Sequence, residues 1–107
     1  MSQENIKAEL TREALAVCKD RLSSGALPAP EPMVLSIQAQ LEWLIEFYEG
    51  RSTERSKLHG LTFGHFAARE IEDADPELTR VLHRAYYAAS RTAAGIKLDL
   101  SVLGLEA

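Results

Sequence analysis

Apolar residues recur at steps of three and four through most of this chain, while alternation at steps of two is weak and brief. That periodicity restricts the fold to helices, because a strand would need its apolar residues at every second position. Glycine and proline then cut the periodic sequence into lengths typical of single helices. The reading is an all-α, single-domain bundle of about four helices over residues 1–107, ending in a short C-terminal extension.

The N-terminal helix occupies residues 1–24, with its periodic part from Gln3 to about Leu22. Ile6, Leu10, Ala14 and Val17 fall on one face of it. Ser23-Ser24-Gly25 ends it, with Gly25 suited to a left-handed cap. Residues 25–32 form a connector in which Pro28, Pro30 and Pro32 enforce extended backbone. Residues 33–96 are the helical core and residues 97–107 the tail.

The second helix starts near Pro32, a residue tolerated in a first turn, and stops at Gly50. Met33, Val34, Ile37, Leu41, Leu44, Ile45 and Tyr48 share its main apolar face. Trp43 and Phe47, four residues apart, make a second apolar strip that suits either the core or a partner. A third helix is expected from Ser52–Glu54 to about Glu72, carrying Leu58, Leu61, Phe63, Phe66 and Ile71. Gly60 and Gly64 would each cost it about 1 kcal/mol relative to alanine, which close approach of another helix would offset. Asp75-Pro76-Glu77 marks the fourth start: a capping acid, proline at the first position and an acid in the first turn. That helix runs to about Ala94, with Gly95 as its stop. Its core face holds Leu78, Val81, Leu82, Ala85, Tyr86, Ala89 and Ala93, and its opposite face holds Arg80, Arg84, Tyr87 and Arg91. The tail from Lys97 reads as a short strand or as a docked extension.

Composition narrows the function. The net charge is −4, and the whole deficit lies in residues 1–50, where four basic side chains face eight acidic ones. An acidic total opposes nucleic acid as a partner, since phosphates need positive potential at the contact face. A basic protein partner fits better. The single cysteine, Cys18, permits no internal disulfide. The N-terminal residues lack the pattern of a secretory signal, and no stretch is apolar enough to cross a bilayer. The protein is expected in the cytoplasm.

Catalytic motifs are missing. His59, His65 and His83 lack the spacing of a helical zinc site, and there is no phosphate loop, dinucleotide fingerprint or nucleophile elbow. His65 reads as a hydrogen-bonded core histidine, and Cys18 as a small core residue with a lowered thiol pKa as the functional alternative. No catalytic residue, metal or cofactor is expected. The densest polar feature is the run Glu70, Glu72, Asp73, Asp75 and Glu77. It suits solvated capping of the junction, docking onto a basic cleft or, more remotely, holding a divalent cation for an enzyme. The Arg80/Arg84/Tyr87/Arg91 stripe reads either as a solvated face paired with neighbouring acids or as a recognition face, because Arg and Tyr are enriched at interface hot spots.

An ordered series of segments resembles one bacterial family. They are Arg55-Ser-Lys-Leu-His-Gly-Leu-Thr-Phe-Gly64, Ala68-Arg-Glu-Ile71, Asp75-Pro-Glu-Leu78, Ala85-Tyr-Tyr87 through Arg91-Thr92, and Gly95-Ile-Lys-Leu-Asp-Leu100. The family is that of immunity proteins protecting type VI secretion producers from an NAD(P)-glycohydrolase toxin. The resemblance spans about Arg55 to Leu100 and is fainter around Gln40-Leu41-Glu42. It implies a helical, non-enzymatic inhibitor that binds the effector's C-terminal toxin domain in a one-to-one complex and occludes the active site. Leu58, Leu61, Asp75, Pro76, Tyr86 and Gly95, the residues shared with the family, are mostly structural. Because immunity surfaces diverge with their toxins, the target is also open to another nucleotide-directed enzyme, such as a (p)ppApp synthetase. Glu72, Asp73, Asp75, Arg84, Tyr87 and Arg91 are the expected partner contacts. The alternative is a helical structural or regulatory module that self-associates through Trp43 and Phe47.

Overall fold

In the computed structural model, which describes residues 3–105, the glycine and proline signals decide where the helices end. α1 spans Gln3–Ser24 and α2 spans Glu31–Tyr48. Gly25 and Gly50 follow them at φ +77° and +81°, a left-handed backbone that only glycine adopts cheaply. Pro32 sits in the first turn of α2, as its missing N–H allows. After α2 come a 3₁₀ turn at Arg55–Gly60, the short helix α3 at Phe63–Phe66 and a π turn at Ala67–Ile71. α4 spans Pro76–Ala93 and stops before Gly95, also left-handed.

The four helices form one all-α bundle, with no strand among the described residues. α1 packs along both α2 and α4, and the irregular third segment lies across α2 and α4. Ala14, Cys18, Val34, Ile37, Leu41, Leu44, Phe63, Ile71, Leu78 and Leu82 are completely enclosed. Each large aliphatic or aromatic side chain among them contributes about 1.5–3 kcal/mol through burial. On α1 the buried line is Ile6, Leu10, Ala14, Cys18; Val17, expected on it, is half-buried. Steps of four advance slightly faster than the helix turns, so the buried line drifts toward Cys18 and away from Val17. A separate small cluster joins Ile6 and Leu10 of α1, Ala88 of α4 and Leu98 of the tail. The tail is therefore a docked extension, turning tightly over residues 100–104, and not a strand.

The expected continuous third helix does not form. Leu61 is extended (φ −72°, ψ 135°), which breaks the segment in two. The break is stabilised from outside: the Gln40 side-chain carbonyl of α2 accepts from the backbone N–H of Thr62 (2.8 Å) and Phe63 (3.1 Å). Gln40 thus caps α3 in place of a local residue. Beyond the break, the buried positions Phe63, Ala67 and Ile71 recur at steps of four. The wider π turn keeps such positions closer to one line than an α-helix does. Gly60 lies in the 3₁₀ turn, where a β-carbon would meet nothing within 4 Å, so its expected close contact is absent. Gly64 has that contact: a β-carbon there would fall 2.4 Å from Tyr86 Cγ. The Tyr86 ring stands edge-on to Phe63 at 5.1 Å, and its hydroxyl donates to the Leu61 carbonyl at 3.4 Å. His65 is exposed beside Tyr86, not in the core as expected. The apolar residues of the broken segment face α4, and His65 follows a turn whose direction the helical wheel misplaces.

Candidate interaction surfaces

Three surfaces carry the residues singled out in the sequence. At the junction before α4, Asp75 is only 9% exposed. Its carboxylate caps α4 by accepting from the Leu78 N–H at 3.1 Å. It also receives two bonds from Arg21, Nε to Oδ2 at 2.6 Å and Nη2 to Oδ1 at 3.3 Å. The Arg21 bonds, followed by that from Leu78, hold the Asp75 carboxyl below the usual carboxylate range against the opposing effect of burial. Arg21 reaches Glu77 and Asp20 as well, each at 2.6 Å. Glu72 and Asp73 are exposed, and among the described residues neither is ion-paired. The acid run thus divides: Asp75 and Glu77 are tied to α1, while Glu72 and Asp73 face solvent. No three His, Cys, Asp or Glu side chains among the described residues converge as a metal-ligand group, which leaves the divalent-cation reading without a site.

The stripe along α4 is engaged within the chain. Arg80 and Arg84 both approach Glu13 of α1 at 3.6 Å. Arg84 also points at the Leu103 carbonyl (3.5 Å), and Arg91 donates to the Lys97 carbonyl at 2.8 Å while lying over the Tyr87 ring. The Tyr87 hydroxyl accepts from the Asp99 N–H at 3.0 Å. At the far edge of the same tail, the Gln3 amide accepts from Leu98 N–H (2.7 Å) and donates to Leu98 carbonyl (3.3 Å). Arg84, Tyr87 and Arg91 are therefore brought together, but around the tail, and stand apart from Glu72 and Asp73. Sequence periodicity located the stripe; Gln3 and Glu13 carried no signal of their own.

The third surface is the outer side of α2. Trp43 and Phe47 stack at 5.4 Å and are half-buried against the core, with Lys57 placing its ammonium 5.1 Å from the Trp43 ring centre. Beside them a groove of about 450 Å³ runs between α2 and the 3₁₀ turn, lined by Ser36, Ala39, Gln40, Trp43, Leu61 and Thr62 among others. Cys18 lies in the core, where burial and then the Glu42 charge push its thiol up to about 11, opposite to an activated cysteine. No helix of the described residues is long and apolar enough to cross a membrane.

This arrangement matches known proteins over most of the chain. A curated relative, the immune protein Tsi6 of Pseudomonas aeruginosa (strain PAO1), is 42% identical over 92 residues, covering 86% of this chain and 95% of its own. A chain in the solved structure of Tse6 in complex with Tsi6 superposes with a TM-score of 0.78 at 39% identity, covering 87% of this chain and 96% of that one. The solved structure of Tsi6 from Pseudomonas aeruginosa gives 0.73 at 39% identity, over 94% and 98%. The Tsi6 family model matches residues 7–91, which run from the first turns of α1 to the last turn of α4. With sequence and helical architecture agreeing over that length, the chain belongs to the Tsi6 family.

Proposed function

We propose that this chain is a cytoplasmic immunity protein that binds the C-terminal toxin domain of a type VI secreted effector and occludes its active site. The observation that carries the reading is membership of a family whose curated relative is an immune protein and whose solved structures include a complex with Tse6. Inhibition is stoichiometric, one copy per toxin, with no cofactor and no chemistry supplied by the chain. The toxin attacks nucleotides, as an NAD(P)-glycohydrolase or as another nucleotide-directed enzyme such as a (p)ppApp synthetase. Of the six contact residues expected from the sequence, Glu72 and Asp73 have side chains free to meet a basic cleft. Asp75, Arg84, Tyr87 and Arg91 serve the fold, holding α1, α4 and the tail together.

Co-expression tests the reading. If the neighbouring gene encodes a large secretion effector, its C-terminal toxin domain is produced in a sensitive bacterium with and without this chain, and survivors and nucleotide pools are counted. Rescue accompanied by a stable one-to-one complex is expected, and the depleted pool identifies the toxin's chemistry. Undiminished killing with both proteins well expressed would remove this effector as the partner and the immunity reading with it.

A further inference from the structure

Between Arg21 and Arg51 the sequence holds four glutamates and not one lysine, arginine or histidine. Three of those glutamates, Glu31, Glu42 and Glu46, are exposed along α2. The fourth, Glu49, is ion-paired with Arg12 and Arg51. Among the described residues no cation lies within ion-pair distance of the other three, so the flank of α2 carries uncompensated negative charge.

Next to that flank runs an apolar strip. Leu35, Ala39 and Trp43 follow one another at steps of four, on the side of α2 turned away from Val34, Ile37, Leu41 and Leu44. Leu35 is 48% exposed, one of few large apolar side chains left in water. The groove of about 450 Å³ floored by Trp43 and Leu61 lies on the strip's other side. An aromatic anchor beside a pocket, with a charged rim, is the anatomy of a protein-binding hot spot.

We infer that the outer face of α2, with Leu35, Ala39 and Trp43 flanked by Glu31, Glu42 and Glu46, is the principal docking surface for the toxin domain, which meets it with basic residues around an apolar side chain that enters the groove. This rests on the immunity reading and adds the surface and the partner's chemistry to it. Charge selects the occupant. In a symmetric pair meeting face to face, a second copy brings only Lys57 as a cation, together with its own acidic flank. A basic domain satisfies all three glutamates at once, and opposite charge speeds encounter. The α4 stripe is a weaker surface, because its cations are already turned onto Glu13 and the tail.

The test uses the whole chain and the purified toxin domain from the co-expression experiment. Leu35→Glu and the pair Glu42→Lys/Glu46→Lys change exposed side chains, and helical circular dichroism checks that they fold. Each is expected to raise the dissociation constant at least tenfold. The reversal Glu9→Lys on α1, at an exposed side chain outside the α4 contacts, is expected to leave it within about threefold, as for a screened surface charge away from the contact. Trp43 is the chain's only tryptophan. Labelled with 5-fluorotryptophan, it is expected to show a shifted fluorine resonance on adding the unlabelled domain. Wild-type binding with unaltered affinity in both α2 variants and an unmoved resonance would overturn the α2 assignment and leave the immunity reading standing. A concentration-dependent homodimer abolished by Leu35→Glu would overturn it in favour of self-association. Absence of wild-type binding would overturn the immunity reading for that effector, and the α2 assignment with it.

Discussion

Arg21 closes the end of α1 onto Asp75, 54 residues away, through a two-pronged pair whose shorter bond is 2.6 Å. The same Asp75 carboxylate caps α4. One side chain therefore caps the start of α4 and pins the last turn of α1 to it, and the most acidic stretch of sequence is partly internal structure.

Losing that carboxylate should cost more than a cap alone. Asp75→Ala removes the cap, about 1 kcal/mol, and leaves Arg21 without its most buried partner, for a total of about 2–3 kcal/mol. Asp75→Asn, which keeps a capping oxygen, should lose less. Because the folded carboxyl is held below the ordinary value of about 3.9, its contribution is complete above that value and fades as pH falls through the folded pKa. The gap in melting temperature between wild type and Asp75→Asn should accordingly be widest near pH 7 and shrink below about pH 4. A gap independent of pH would show that the charge does not matter.

The two glycines of the third segment should respond in opposite ways. Gly64→Ala drives a methyl to 2.4 Å from Tyr86 Cγ. That atom is held by ring packing against Phe63, so the clash should destabilise by about 1–3 kcal/mol despite the helix preference for alanine. Gly60→Ala meets nothing within 4 Å and has no left-handed backbone. Its chemical denaturation midpoint should stay level or rise slightly, since alanine restricts the unfolded chain.

Cys18 should be silent to thiol reagents in the folded protein. It is completely enclosed, and its pKa of about 11 leaves little thiolate at neutral pH. Labelling with an aromatic disulfide should proceed only as fast as the fold opens and become immediate in denaturant. Rapid native labelling would place the thiol at the surface.

The tail should loosen without unfolding the bundle. Gln3→Ala removes the partner of the Leu98 N–H, and Tyr87→Phe removes that of the Asp99 N–H. Each substitution should speed hydrogen exchange at the amide it uncovers by about tenfold, with global stability falling by about 1 kcal/mol. Amides in the middle of α4 should exchange as before.

The helices were legible wherever a local signal acts alone. Gly25, Gly50 and Gly95 mark ends because a left-handed residue is required there, and Asp75-Pro76 marks a start because cap and fixed φ coincide. The third segment was not legible, because its ends are set by distant groups. Gln40 caps α3 from α2, and the Arg55 guanidinium donates to the Thr92 carbonyl (2.6 Å) at the end of α4. Periodicity cannot register a cap that arrives from another helix. The same limit applies to the surfaces. The α4 stripe was visible as a pattern, yet its occupation by Glu13 and the tail emerged only with the fold. On α2 the sequence reading singled out Trp43 with Phe47, whereas the strip through Leu35 and Ala39 emerged only with their exposure in the fold.

The Gln3 amide meets the backbone of Leu98 in both directions, as a neighbouring strand would. Residues 3 and 98 are consequently neighbours in space although 95 positions apart in sequence. A short glycine-rich bridge joining these two regions, with the chain reopened in the exposed loop at 53–54, gives a circular permutant that preserves every helix. In it the tail's docking becomes a covalent fact, no longer an equilibrium.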